Sequence, residues 1–180
     1  KNLLEEIETD DLFWLTGLYV GDGYTAADRH HMRSGEKSSF ISVRDESGHF
    51  VFQEKNESVT YPSFNLYFAI PLHDKSRNRL LAWLEKYKVD YRVSDDWVRF
   101  SSCTLANFLR TCGGSAEEKH IPSWMLNYHQ SHLQRLFEGL IGSDGHAKPN
   151  NKSFSYVTVS ERLVSQVGEL GMKLGLRCST

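Results

Sequence analysis

The spacing of apolar positions predicts an α+β chain in which helices and short strands alternate. Residues about 10–20 are mostly apolar and predict a buried helix, with Thr9 or Asp10 as its N-cap and Gly21-Asp22-Gly23 at its end. Further segments predict strands at Ser39–Arg44, His49–Gln53, Phe64–Ile70, Tyr91–Val93 and Trp97–Ser101, and helices at Lys75–Tyr87 and around Leu105–Arg110.

A helix with one apolar face begins near residue 131 and starts the pattern again. Its apolar residues recur at i, i+3, i+4, i+7 and i+8, as Leu133, Leu136, Phe137, Leu140 and Ile141. It is predicted to end at Gly142-Ser143-Asp144-Gly145. A strand at Phe154–Val159 should follow, and then a helix with Ser160 as N-cap and Gly175 past its end.

The chain therefore contains an imperfect internal repeat. The segment that starts at Arg79 (RLLAWLEKYKVDYRVS) is similar to the one that starts at Arg162 (RLVSQVGELGMKLGLRCS). The last residues match Arg92-Val93-Ser94, so the counterpart of about residues 95–125 is missing from the second copy. We expect a first repeat at residues 1–130 and a truncated second repeat at 131–180, which together form one domain.

The two helix ends, LTGLYVGDG and FEGLIGSDG, are the residues that most directly suggest chemistry. Each has small residues at i and i+4, first Gly17 and Gly21, then Gly139 and Ser143. Small residues at this spacing let two helix backbones approach closely. If the helices pack in parallel, Asp22 and Asp144 face each other across a pseudo-two-fold axis.

Two carboxylates at the negative ends of helix dipoles are unfavourable alone and favourable around a divalent cation. A single Asp-Gly after a helix is more often an ordinary turn. Two matched motifs favour the metal site over the turn.

The paired motifs resemble those of LAGLIDADG homing endonucleases, particularly the endonuclease domains carried inside inteins. The stretch KHIPSWMLNYHQSHLQRLFEGLIGSDG, from Lys119 to Gly145, is also similar to this family. The resemblance implies a LAGLIDADG homing-endonuclease fold. Its αββαββα repeats would carry two antiparallel sheets that form a DNA-binding saddle, with the second repeat incomplete.

The resemblance also implies site residues. Asp22 and Asp144 would bind Mg²⁺, with Mn²⁺ as a possible substitute, and the main-chain carbonyls of Gly21 and Ser143 would complete the shell. Lys119 would lie near the scissile phosphate, where a cation neutralises developing charge; alternatively it is a solvated lysine. The DNA-binding candidates, each of which could equally be a surface charge, are Arg29, Arg33, Arg44, Arg92 and Arg99. Lys75, Arg77 and Arg79 could grip backbone phosphate or solvate a helix start.

Composition narrows the class of protein. Of 180 residues, 39% are hydrophobic and 24% charged, which is typical of a globular chain, and no apolar run reaches the roughly 20 residues of a membrane span. The net charge of −2 excludes a uniformly basic nucleic-acid coat but allows a locally basic groove. Three cysteines without a CxxC pair favour a reducing intracellular setting, in the cytoplasm or nucleus. The four tryptophans are predicted to be core residues.

The hypothesis that follows is a Mg²⁺-dependent, site-specific double-strand DNA endonuclease, from the endonuclease portion of an intein. It should be a monomer because both motifs lie in one chain. The alternative is a non-catalytic LAGLIDADG-fold protein, such as an RNA maturase or a DNA-binding regulator. The paired carboxylates and Lys119 favour the enzyme, since a binder has no need of crowded acids. Self-splicing is not indicated, because neither a nucleophile at Lys1 nor a His-Asn pair at Thr180 is present.

Overall fold

The structure is a computed structural model that describes residues 2–25, 40–44, 50–54, 64–147 and 153–178. It divides into two compact units, residues 1–26 with 64–180, and residues 27–63. The first unit contains α1 (Leu3–Glu6), α2 (Thr9–Asp22), β1 (Gly23–Thr25), β4 (Asn65–Phe68), α3 (Lys75–Lys86), β5 (Tyr91–Val93), β6 (Val98–Ser101), α4 (Cys103–Arg110), a 3₁₀ turn (Met125–Asn127), α5 (Gln130–Gly142), β7 (Gly145–Ala147), β8 (Phe154–Tyr156) and α6 (Glu161–Lys173). The second unit contains β2 (Phe40–Arg44) and β3 (Phe50–Glu54).

The order of elements confirms the predicted repeat. In the first unit, α2, β1, β4, α3, β5, β6 and α4 follow the αββαββα pattern, and α5, β7, β8 and α6 repeat its first four elements. The second unit is inserted between β1 and β4. Its strands form an antiparallel hairpin with Phe40 opposite Glu54 and Arg44 opposite Phe50, close to the predicted bounds.

An antiparallel sheet with the strand order β1-β4-β6-β5 covers one side of the first unit's helices. Leu66 and Phe68 on β4, and Val98 and Phe100 on β6, are buried and pack toward the core. The residues between them point to the other face, because side chains alternate along a strand. Strands β7 and β8 form a separate two-stranded antiparallel sheet.

Helix α2 lies at the centre of the core. Every residue from Phe13 to Val20 is buried, so the helix is in contact with protein on all sides, as its continuous apolar run predicts. None of the described helices combines the length and the apolar character that crossing a bilayer requires.

The predicted N-cap of this helix is wrong. Glu8 occupies the cap position without a side-chain bond, and Thr9 is the first helical residue. Asp10 and Asp11 lie in the first turn, where their negative charges interact favourably with the positive end of the helix dipole. Their carboxylates bond to His132 at 2.6 Å and Lys86 at 2.8 Å instead of capping the backbone.

The assignment of all four tryptophans to the core is also wrong in part. Trp14 and Trp83 are buried, but Trp97 is only partly buried and Trp124 is 45% exposed. Trp124 precedes the 3₁₀ turn and contacts Phe13 with its ring edge, with the centroids 6.1 Å apart.

Candidate active site

The site is built on the close contact between α2 and α5. The helices are parallel, since Asp10 contacts His132 near their first turns and Gly21 contacts Ser143 near their last. A Cβ on Gly17 would lie 2.8 Å from the nitrogen of Leu140, and one on Gly139 would lie 2.8 Å from the nitrogen of Leu18. Only glycine fits at either position, so the small residues set the distance between the two helix ends.

Asp22 and Asp144 follow this contact at the C-terminal ends of the two helices. Asp22 is partly buried, and burial raises its pKa to about 7, with further contributions from the negative charges of Asp144 and Asp74 and an opposing one from Lys119. Burial also raises the pKa of Asp144, against the positive charge of Lys119. The two motif carboxylates therefore lie close enough for one charge to act on the other.

Lys119 is only 7% exposed, and its ammonium lies beneath the end of α2. The Nζ atom donates to the carbonyls of Tyr19 at 2.9 Å and Gly23 at 2.6 Å, and sits 3.9 Å from the centroid of the Tyr19 ring. Burial lowers the pKa of Lys119 to about 8, although Asp144 and Asp22 oppose this shift, so the group is mainly charged at pH 7. The solvated alternative for Lys119 is therefore wrong.

The donor atoms at the two helix ends suit a hard divalent cation. Carboxylate and main-chain carbonyl oxygens are the ligands that Mg²⁺ prefers. A cation would also offset the burial, and the negative charges of Asp144 and Asp74, that raise the pKa of Asp22. Across the described ranges, no group of three or more His, Cys, Asp or Glu side chains could hold a metal ion. The groups at the two helix ends that could hold such an ion are the carboxylates of Asp22 and Asp144 and the main-chain carbonyls of Gly21 and Ser143.

The structure describes the positions of only some of the predicted DNA-binding arginines. Arg92 and Arg99 lie opposite each other on β5 and β6, on the sheet face directed away from the core. Arg44 lies on β2, but its side chain is outside the described part of the chain, as are Arg29 and Arg33 altogether.

Two of the helix-start cations, Arg77 and Arg79, contact groups within the protein. Arg77 is 4% exposed and donates to the carbonyls of Ile70 at 2.8 Å and Asp95 at 3.3 Å. Arg79 lies over the Trp14 ring at 4.4 Å and pairs with Glu138 at 3.1 Å.

Two residues near the carboxylates were missed by the sequence analysis. Asp74 caps α3, accepting from the nitrogen of Ser76 at 2.7 Å, and its charge reaches Asp22. Tyr156 lies opposite Gly145 in the β7–β8 pair, and its buried hydroxyl has no hydrogen-bond partner among the described residues. Burial, then the charges of Asp144 and Asp22, raise the pKa of Tyr156. The cap at Asp74-x-Ser76 is readable in sequence, but its proximity to Asp22 depends on the fold.

Comparison with known proteins gives likenesses in structure and in sequence. A crystal structure of a variant of the homing endonuclease I-DmoI, in complex with its target DNA and in the presence of Mn, superposes with a TM-score of 0.52 at 10% identity, covering 99% of this chain and 80% of that one. Mesophilic variants of I-DmoI give a TM-score of 0.38 at 9% identity, over 81% and 61% of the two chains. No protein-family model matches the chain.

In sequence, the chain is 25% identical over 169 residues to an iron–sulfur cluster assembly SufBD family protein of Mycobacterium leprae. The match covers 92% of this chain, which spans only 16% of the length of that relative. The structural likeness confirms the predicted fold: the chain has the α+β LAGLIDADG homing-endonuclease fold, with antiparallel sheets.

Proposed function

We propose that the protein is a metal-dependent, site-specific endonuclease that hydrolyses both strands of a DNA duplex. The observation that carries the proposal is the glycine packing of α2 against α5, which places Asp22 and Asp144 at neighbouring helix ends, where the charge of Asp144 acts on Asp22. Such crowded acids weaken a protein that merely binds, whereas they suit one that must hold divalent cations at a phosphodiester. The proposed partner is double-stranded DNA, bound by a monomer.

Asp22 and Asp144 would hold Mg²⁺ or Mn²⁺ together with the carbonyls of Gly21 and Ser143. The bound ion would activate a water and stabilise negative charge on the phosphate in an in-line displacement. The parallel packing of α2 and α5 keeps both carboxylates at one place between the two strand-cleaving halves. Their backbone contact at Gly17 and Gly139 prevents the helix ends from drifting apart.

Lys119 would act on the phosphate through its charge. Its two bonds to the carbonyls of Tyr19 and Gly23 hold the ammonium beside the end of α2. An ammonium already fixed there would stabilise the negative charge that develops on the phosphate during hydrolysis, and no cation would have to move in from solvent. Since its pKa is about 8, we expect this contribution to weaken above pH 8.

The endonuclease portion of an intein remains the proposed origin. In support, the chain matches a small fraction of a much longer relative whose name describes iron–sulfur cluster assembly, not nucleic acid. A nuclease fold within such a protein is what an inserted endonuclease domain would produce. The intracellular setting proposed from the cysteines suits a DNA substrate.

A non-catalytic DNA- or RNA-binding protein is the second candidate. The carbonyl bonds of Lys119 favour it, because they also give this lysine a purely structural role at the end of α2. The two candidates differ in one measurable property, cleavage in the presence of Mg²⁺.

The test begins with selection from a random duplex library in Ca²⁺, followed by addition of Mg²⁺ to the enriched sites. We expect a long asymmetric site that is then cut on both strands. Asp22→Asn and Asp144→Asn should each lower cleavage by about 10²-fold or more while binding in Ca²⁺ persists. Asp96→Asn, an exposed acid in the β5–β6 turn, is the matched control. Binding without cleavage by the unaltered protein would establish the second candidate. Equal cleavage by the unaltered protein and both site variants would refute the assignment of the active site to Asp22 and Asp144.

A further inference from the structure

The hydroxyl of Tyr156 is a buried polar group that the described part of the chain does not satisfy. Its oxygen is shielded from solvent and has no hydrogen-bond partner among the described residues. Burying a hydroxyl without a partner costs free energy, and such groups are uncommon in folded proteins. The side chain also packs against the hydrophobic core, so its position is set by the fold. A hydroxyl fixed in this way suits the binding of a ligand.

The pairing of β7 with β8 places Tyr156 beside the end of α5. Tyr156 lies opposite Gly145, the residue that directly follows Asp144. Phe154, two positions earlier on β8, faces the same side of the strand as Tyr156, because side chains alternate. The ring of Phe154 contacts that of Phe137 on α5 edge-on, with centroids 5.3 Å apart. Tyr156 therefore faces the same helix, close to the end that Asp144 follows.

The surroundings of the Tyr156 hydroxyl are negatively charged. Burial, and then the charges of Asp144 and Asp22, raise the pKa of Tyr156, so the group keeps its proton. A neutral phenol can both donate and accept a hydrogen bond. The two carboxylates would repel an anionic partner. The chemistry of the position therefore favours a neutral ligand that is itself held by a cation.

We propose that the Tyr156 hydroxyl positions a water molecule in the hydration shell of the divalent cation at Asp144. The inference rests on the proposed function and adds a positioning residue to its metal site. Mg²⁺ usually keeps several waters when it binds a protein. Side chains that hydrogen-bond to the ligands of an ion orient those ligands and strengthen its binding. Water is the mediator because the hydroxyl does not bond to the carboxylate of Asp144 directly.

The first half of the protein has a different group at the equivalent position. Gly23 corresponds to Gly145, and the residue opposite Gly23 on β4 is Phe68, which has no hydroxyl. Phe68 is fully buried, so a hydroxyl there would lie in the core. The polar group next to Gly23 is instead the ammonium of Lys119, which donates to its carbonyl at 2.6 Å. The role of Tyr156 therefore belongs to the second half alone.

The test compares Tyr156→Phe with a matched control, Thr104→Val. Tyr156→Phe keeps the ring and removes only the hydroxyl. Thr104 lies on α4, and its Oγ1 is likewise buried without a partner among the described residues, while valine has nearly the same shape. Neither substitution breaks a hydrogen bond among the described residues, so both variants should fold, with urea midpoints in chelator that are unchanged or higher.

The measurement is the binding of Mn²⁺ to the protein alone, followed through the electron paramagnetic resonance signal of the free ion. Urea unfolding with and without Mn²⁺ gives a second value of the affinity, because a bound ion stabilises the folded state. We expect Tyr156→Phe to bind Mn²⁺ about tenfold more weakly than the unaltered protein. Thr104→Val should bind Mn²⁺ as tightly as the unaltered protein.

Equal Mn²⁺ affinities of Tyr156→Phe and the unaltered protein, an equal loss in Thr104→Val, or no binding of Mn²⁺ by the unaltered protein would overturn the inference. A lower urea midpoint of Tyr156→Phe in chelator, with its Mn²⁺ affinity unchanged, would show that the hydroxyl has a structural role only. Plasmid cleavage by the same proteins separates the inference from the proposed function. Weaker Mn²⁺ binding by Tyr156→Phe without cleavage by the unaltered protein would keep the inference and refute the endonuclease, whereas cleavage with equal affinities would do the reverse.

Discussion

At the scale of one residue, the buried carboxyl of Asp22 is expected to lower the free energy of unfolding of the protein. Its carboxyl is partly buried, follows a helix C-terminus and feels the charges of Asp144 and Asp74, which together with burial raise its pKa to about 7 from 3.8. Between these two values the folded protein holds a proton that the unfolded chain has lost. The free energy of unfolding should therefore fall as the pH rises from about 4 to 7, and stay reduced above 7.

Asp22→Asn should remove this penalty. At pH 8 in chelator we expect the variant to be more stable than the unaltered protein by roughly 1–3 kcal/mol, with a flatter pH profile between 4 and 7, as measured by urea unfolding. Mg²⁺ should stabilise the unaltered protein more than the variant, since bound ligand favours the folded state. Asp96→Asn serves as the exposed control. A variant that is less stable at pH 8 would show that Asp22 has a structural role.

The candidate site residues could be named from the sequence and stay predictions, whereas their surroundings could not be predicted. The two motifs single out Asp22 and Asp144 because small residues and acids recur at matched spacing in both copies, and the family resemblance adds Lys119. The bonds of Lys119 to Tyr19 and Gly23 connect residues about a hundred positions apart. The charge of Asp74 at Asp22 depends on a similar long-range contact, which no local pattern encodes.

At the scale of elements, the pairing of α2 with α5 decides whether the two acids meet. Gly139→Ala would place a methyl group against the backbone of Trp14 and Leu18, which cannot move as a side chain could. We expect a loss of about 1–3 kcal/mol in unfolding free energy, together with reduced cleavage because the helix ends separate. Urea unfolding and plasmid cleavage measure the two effects.

Gly168→Ala is the matched control, since it lies within α6 and a Cβ there meets no atom within 4 Å. It should stabilise the protein by about 0.5–1 kcal/mol, as alanine loses less conformational entropy in a helix. Equal effects of the two substitutions would mean that helix propensity, and not the contact between α2 and α5, explains the result at Gly139.

Element type and approximate bounds could be predicted wherever a periodic pattern was uninterrupted. The hairpin of β5 and β6 and the Ser160 cap of α6, which accepts from Leu163 at 3.2 Å, are confirmed. The order β1-β4-β6-β5 was not predictable, since it depends on which edges meet in space. The prediction of the N-cap of α2 was wrong because the carboxylates of Asp10 and Asp11 bond to side chains on α5 and α3 and not to the backbone of α2.

At the scale of the whole molecule, the two halves share an order of elements but differ in detail. The imperfect repeat of helices and strands followed from the sequence because both copies carry a similar apolar pattern, and the αββαββα order was implied by the family resemblance. The insertion of a separate unit between β1 and β4, which pair directly, was not predicted. Gly23 at the end of α2 accepts a bond from Lys119, whereas in the described part of the chain no lysine bonds to its counterpart, Gly145.

The position of Lys119 beside the end of α2 gives a prediction about the cleavage of each DNA strand. Lys119→Met keeps the length of the side chain and removes the charge beside α2, so one strand should be cut more slowly while the other is little affected. On a supercoiled plasmid that carries the selected site, the variant should accumulate nicked circles, and end-labelled duplexes should identify the slow strand. The variant also loses the hydrogen bonds from Lys119 to the carbonyls of Tyr19 and Gly23, which can destabilise the fold. Binding of DNA in Ca²⁺ is therefore measured as a control for folding. Equal slowing of both strands would show that Lys119 contributes to the cleavage of both, and would refute the prediction that it acts on one strand only.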